Sequence, residues 1–150
     1  MQTFEMEMSK YAIEILTKAN NMDRVMEFVE LCVKNVGSQR ISKQLALVGE
    51  ELAFNIFSYA YEAPDKFVLR ICLYPDLDKV TMEFRDAGKP YNPLEYQAED
   101  LDVHISERKM GGLGITLSKK LTDNQVYRYE DGHNILLVEK FIGTGGQSYS

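Results

Sequence analysis

The sequence has few cysteines and no arrangement of them that suggests a metal. Its two cysteines, Cys32 and Cys72, lie far apart in apolar segments, without a Cys-x-x-Cys pair or a Cys/His cluster. Zinc sites need several such ligands at short spacing, so we do not expect one. We interpret the two as buried thiols in a reducing compartment.

Long apolar runs and long basic runs are also absent. No apolar stretch reaches about 18 residues, and the first residues (Met1 to Glu5) show no signal-peptide pattern, so we expect a cytoplasmic protein that does not cross a membrane. No run of Lys or Arg exceeds two residues, and the formal net charge is -6. Such a surface repels DNA and RNA on average, so direct nucleic-acid binding is not expected.

The length and composition of the chain indicate one globular domain. The chain has 150 residues, of which 45% are hydrophobic and 27% charged, which is an ordinary balance for a single domain with its own core. The only low-complexity stretch is the end of the chain. We therefore predict one domain over residues 1–142 and a loose tail over 143–150.

Local patterns predict five strands and three helices. Strand-like alternation and helical spacing, together with turn residues, give strand 11–16, a helix ending at Gly37, helix 42–61, strands 67–74 and 80–85, helix 112–121 and a hairpin of 126–130 with 134–141. Most strands are joined as hairpins. The prediction is an α+β, two-layer α/β sandwich, with a mixed, mostly antiparallel sheet and helices on one face.

The first segment whose side chains could take part in catalysis or binding lies on the second predicted helix. Glu51 and Asn55 are four residues apart, so their side chains share one helix face. A carboxylate there can accept a proton, and a carboxamide oxygen can bind Mg²⁺, which takes few protein ligands. A polar stripe on an amphipathic helix is the alternative interpretation.

The second segment follows a predicted strand, and the third precedes the third helix. Asp86 leaves its strand into a Gly/Pro loop, where it can accept a hydrogen bond from an exocyclic amine while Gly88 lets backbone approach a flat ring. Gly111, Gly112 and Gly114 expose backbone N–H groups at a helix start, which suits phosphate. A simple turn and a flexible hinge are the respective alternatives.

The order and spacing of these three segments resemble the N, G1 and G2 boxes of the GHKL (Bergerat-fold) ATPase superfamily. Among its members, the anti-sigma factor serine/threonine kinases are most similar, since Asp-x-Gly-x-Pro-aromatic-x-Pro and Gly-Gly-x-Gly-Ile both occur here. The resemblance covers roughly residues 10 to 142. One departure is Tyr59, where that branch often has His; another is the acidic character of the predicted lid, residues 94–110.

The resemblance implies a role for each matching residue. Glu51 would be the general base, with Glu50 as its competitor. Asn55 would hold Mg²⁺, and Asp86 with Gly88 would recognise the adenine of ATP. Gly111, Gly112 and Gly114 would contact phosphate through their backbone N–H groups. Arg108, in the predicted lid, would contact a phosphate or a partner protein.

The function implied by the resemblance is that of an anti-sigma factor kinase. Such a protein phosphorylates an anti-sigma factor antagonist, alternately holds a sigma factor inactive, and can form a homodimer. A non-catalytic, nucleotide-dependent protein-binding module is the alternative. A histidine kinase is not favoured, because no helical hairpin with a phosphoacceptor His precedes the domain. His104 and His133 have no neighbouring ligand cluster and are not expected to bind metal.

Overall fold

The computed structural model describes residues 8–60, 65–95 and 111–143. The α+β prediction is confirmed: a five-stranded sheet packs against three helices. In chain order the elements are β1 (Ser9–Leu16), α1 (Met22–Val33), α2 (Gln39–Ala60), β2 (Lys66–Tyr74), β3 (Lys79–Asp86), α3 (Gly111–Leu121), β4 (Asn124–Glu130) and β5 (His133–Phe141). No helix within these ranges is both long enough and apolar enough to traverse a bilayer.

The strand order places β3 at the centre of the sheet. The order is β1-β2-β3-β5-β4, and every neighbouring pair is antiparallel, so the sheet is antiparallel throughout rather than mixed. The last residue of β3, Asp86, is paired with Phe67 on β2 and with Asn134 on β5. A polar side chain at that position therefore has a strand on each side.

The start of α2 is set by a glycine and a serine. Gly37 has a φ of +66°, the left-handed conformation that glycine adopts without steric cost, but it lies in the connection to α2 and does not itself end α1 as predicted. The Ser38 hydroxyl accepts a hydrogen bond from Ile41 N at 3.1 Å, which caps the new helix. The helix begins at Gln39, before the predicted Ser42, and α1 ends at Val33.

Close packing of α2 on its neighbours explains the glycine inside it. A Cβ atom at Gly49 would lie 2.8 Å from Val29 Cγ1 of α1, so only glycine lets the two helices approach this closely. On the sheet side, the ring of Phe57 meets the ring of Phe67 edge-on at 5.1 Å, and Phe67 packs against Phe84 at 6.5 Å. These contacts hold the C-terminal half of α2 over the end of the sheet where Asp86 lies.

The hairpin between β4 and β5 has the predicted turn. Asp131 and Gly132 have φ values of +52° and +76°, as a primed two-residue turn requires, and its twist matches that of the strands. The cysteines are free and only half-buried, Cys32 on α1 and Cys72 on β2, so the prediction that they are buried holds only in part.

Candidate functional site

The first part of the site is a polar edge on α2. Leu52 and Ile56 point into the core, while Glu51 and Asn55 lie beside them on the same helix. Glu51 Oε1 and Asn55 Oδ1 are buried, and within the described ranges neither atom has a hydrogen-bond partner. Burial also raises the pKa of the Glu51 carboxyl. Buried polar atoms without partners destabilise a fold, so two side by side suggest a place that a ligand completes.

The glycine-rich turn lies directly against Glu51. A Cβ atom at Gly114 would lie 2.8 Å from both Cβ and Cδ of Glu51 and would overlap Oε1. The absence of a side chain at Gly114 is therefore what admits the glutamate. Gly111 and Gly112 begin α3 itself, so these glycines form the first turn of the helix rather than a loop before it.

This first turn suits an anion. The N–H groups at a helix start have no acceptor within the helix, and the aligned peptide dipoles add partial positive charge there. The first turn of α3 therefore offers an electropositive surface beside the Glu51 carboxyl. The structure thus brings together two of the three segments that the sequence singles out.

The third segment forms around the Asp86 carboxyl. Asp86 is 6% exposed, and its Oδ1 accepts hydrogen bonds from Gly88 N at 2.9 Å and from Asn134 Nδ2 at 3.0 Å. Burial raises the pKa of Asp86, and these two hydrogen bonds work in the opposite direction. Gly88 therefore orients the carboxylate through its N–H, a contact that the sequence does not predict.

Asn134 is the residue that sequence reasoning missed. It is 6% exposed, and besides Asp86 it bonds the loop after β3: its Nδ2 donates to Lys89 O at 2.9 Å, and its Oδ1 accepts from Tyr91 N at 2.9 Å. The hydroxyl of Tyr127 on β4 also donates to Oδ1. A signal existed, because Asn134 has the same parity on β5 as the apolar residues Leu136 and Val138, which are buried.

The two parts lie at the same end of the molecule. Phe57, two residues beyond Asn55 on α2, packs on Phe67, and Phe67 is the strand partner of Asp86. Lys119 of α3 donates to Leu94 O at 2.8 Å, which ties that helix to the chain that follows the Asp86 loop. A ligand that reached from Asp86 to the glycine turn would thus run along one end of the sheet.

The two adjacent glutamates of α2 have different surroundings. Glu50 faces Glu30 of α1; burial first, then the hydrogen bond to Glu30 and the charges of Glu30 and Glu51, raise its pKa to about 7. Glu51 faces the glycine turn instead. This arrangement favours Glu51 as the carboxylate available to a ligand. Arg108, His104 and most of the acidic lid lie outside the described residues, as does the side chain of Tyr59.

The donor set fits a nucleotide that brings its own metal. No group of three or more His, Cys, Asp or Glu side chains able to hold a metal occurs in residues 8–60, 65–95 and 111–143. Asn55 Oδ1, buried and without a partner there, is an oxygen of the type that Mg²⁺ accepts alongside phosphate oxygens and water. The site therefore fits Mg·ATP through Asn55 and the glycine turn.

Comparison with known proteins gives one finding that bears on the site. The family described as "Histidine kinase-like ATPase domain" matches residues 16–140, which includes every element from the end of β1 almost to the end of β5. The description implies ATP as the ligand, in agreement with the GHKL resemblance. None of the curated proteins compared with the chain matches it.

Proposed function

We propose that this chain, which belongs to the histidine kinase-like ATPase domain family, is an anti-sigma-factor-type serine/threonine kinase. It binds Mg·ATP, phosphorylates a small anti-sigma factor antagonist, and alternately holds a sigma factor inactive. The observation that carries the proposal is the position of Glu51. Its unpartnered, buried carboxyl oxygen lies against the first turn of α3, at the end of the sheet where Asp86 is held.

Nucleotide binding divides between the two parts of the site. Asp86, fixed by Gly88 and Asn134, accepts the hydrogen bond of the adenine amino group. The backbone N–H groups of Gly111, Gly112 and Gly114 would donate to the phosphates. Asn55 Oδ1 would be the protein ligand for magnesium, which when bound would neutralise charge on the phosphates.

Glu51 acts as the general base in this proposal. The carboxylate accepts the proton of a serine or threonine hydroxyl as that oxygen attacks the γ-phosphorus, and the bond from that phosphorus to the β,γ-bridging oxygen breaks to release ADP. Burial raises the pKa of Glu51 and so increases its affinity for that proton. Because phosphoryl transfer depends mainly on positioning and charge stabilisation, the close packing of Glu51 on Gly114 matters as much as its basicity.

The test is transfer of label from γ-labelled ATP, with magnesium, to a purified anti-sigma factor antagonist protein. Glu51→Gln should slow transfer by about a hundredfold or more, the usual range for a positioned base. Glu50→Gln is the matched control, one residue away and facing α1, and should transfer at nearly the wild-type rate. Absence of label on the antagonist with wild-type protein would exclude the kinase assignment, and loss of transfer only in Glu50→Gln would move the base to Glu50.

One observation favours a second candidate, a non-catalytic module whose nucleotide controls a protein partner. Glu51 Oε1 is buried against the glycine turn, which leaves only the other carboxyl oxygen to meet a substrate hydroxyl. In that case calorimetry detects ATP binding, ATP is not consumed, and capture of the sigma factor depends on the nucleotide. ATP turnover that disappears in Glu51→Gln would eliminate this candidate.

A further inference from the structure

The side-chain amide of Asn134 forms hydrogen bonds through both its nitrogen and its oxygen, although the residue is almost fully buried. Nδ2 donates to Asp86 Oδ1 and to Lys89 O, and Oδ1 accepts from Tyr91 N and from the Tyr127 hydroxyl. One carboxamide thus joins β3, β4 and the loop after β3. Packing alone does not require four hydrogen bonds from one side chain, so we infer that Asn134 also holds these groups in a fixed arrangement.

The chemistry of its partners fixes which way the amide points. A backbone N–H such as that of Tyr91 can only donate, so it must face the amide oxygen. The Lys89 carbonyl can only accept, so it must face the amide nitrogen. The nitrogen is therefore held toward Asp86, where it presents a donor and never an acceptor.

This orientation decides how Asp86 meets a ligand. Both donors from the described residues, Gly88 N and Asn134 Nδ2, reach the same oxygen, Oδ1. Two donors on one oxygen stabilise the ionised carboxylate and leave Oδ2 for a ligand. An ionised carboxylate accepts hydrogen bonds but cannot donate, so it pairs with an amine and repels a carbonyl oxygen.

We propose that Asn134 is the positioning residue that makes the site select a purine with a 6-amino group over one with a 6-oxo group. The inference rests on the proposed function, in which Asp86 faces the base. Asn134 acts through Asp86 by holding that carboxylate as a pure acceptor. Without Asn134 the carboxyl is free to turn or to take up a proton, and a protonated carboxyl can donate to a 6-oxo group.

The experiment compares ATP with ITP, which carries a 6-oxo group, by calorimetry in the presence of magnesium. Wild type should prefer ATP. In Asn134→Ala the ratio of the two dissociation constants should fall by about tenfold or more, the usual effect of one charge-assisted hydrogen bond. Asn124→Ala is the matched control, since Asn124 also lies on the β4–β5 hairpin but donates to Glu139 Oε1 and not to Asp86; its ratio should equal that of wild type.

The outcomes separate specificity from stability and from the proposed function itself. Equal weakening of ATP and ITP in Asn134→Ala, with the ratio unchanged, would overturn the inference, since a purely structural role acts on both. If Asn134→Ala does not fold, Asn134→Ser keeps one hydroxyl for the network, and the same criterion applies to its ratio. Wild-type protein that binds neither nucleotide would refute the proposed function and this inference with it, whereas ATP preference retained in the variant refutes this inference alone.

Discussion

At the scale of single residues, the contact between Glu51 and Gly114 connects the polar edge of α2 with the first turn of α3. It depends on the absence of one methyl group, because a Cβ at Gly114 would enter the space of the Glu51 side chain. Glutamate is an ordinary helix residue, whereas the glycine has a low helix propensity. Their effect comes from the packing of two helices that are distant in sequence.

Gly114→Ala should destabilise the fold although alanine is the better helix former. The gain in helix propensity is about 1 kcal/mol, while overpacking against Glu51 costs about 1–3 kcal/mol, and the backbone of α3 can move only at the expense of other contacts. Urea denaturation measures the net change. The double variant with Glu51→Ala should recover part of the loss, since Cδ and Oε1 are removed; strict additivity of the two changes would contradict direct contact.

Glu50 should make stability depend on pH. Its pKa in the folded protein is raised to about 7 by burial, then by the Glu30 hydrogen bond and neighbouring charges, from about 4.3 in an unfolded chain. A raised folded pKa means that its contribution is present at acid pH and is lost as the pH rises through about 7. The carboxyl is partly solvated, so we expect an effect on the order of 1 kcal/mol rather than the full conversion.

The variant Glu50→Gln isolates this contribution. It keeps a donor toward Glu30 at every pH, so it should be more stable than wild type at pH 8 and nearly equal to it at pH 4.5. Thermal melting across this range measures the difference. Parallel stability curves for the two proteins would contradict the assignment.

At the scale of elements, most of the secondary structure could be predicted because its signals are local. Asp131-Gly132 can form a primed turn whatever surrounds it, and Gly37 takes up the left-handed conformation of the α1–α2 connection without steric cost. The role of Asn134 could not be predicted, because it depends on the register that sets β5 against β3. The packing of Gly114 on Glu51 likewise depends on where α3 crosses α2.

The cap of α2 is an element-scale feature with a measurable effect. The Ser38 hydroxyl accepts from Ile41 N, and Ser38→Ala should cost about 1 kcal/mol of stability. Ser58→Ala is the control in the same helix, because the Ser58 hydroxyl bonds back to helix carbonyls, a contact that contributes little. Equal stability of the two variants in urea titrations would show that Ser38 does not act as a cap.

At the scale of the whole molecule, the predicted domain boundary can be tested by truncation. Ile142 packs against the core, and its N–H donates to Asp78 O at 2.7 Å. A chain ending at Gly143 should therefore melt at the wild-type temperature. A chain ending at Lys140 should melt lower, since it loses the Ile142 contacts, and an unchanged melting temperature for this shorter chain would contradict the boundary. The homodimer stays a prediction, which sedimentation of the same samples can test.

The most direct test of the central claim is whether Mg·ATP binds with Asp86 as its base contact. ATP with magnesium at about 100 times the dissociation constant should add about 2.7 kcal/mol and raise the melting temperature by about 5–10 °C. Asp86→Asn should abolish the rise, and Asp76→Asn, a change at an exposed position in the β2–β3 connection, should retain it. A wild-type melting temperature that does not change with any adenine nucleotide in the presence of magnesium would contradict the account.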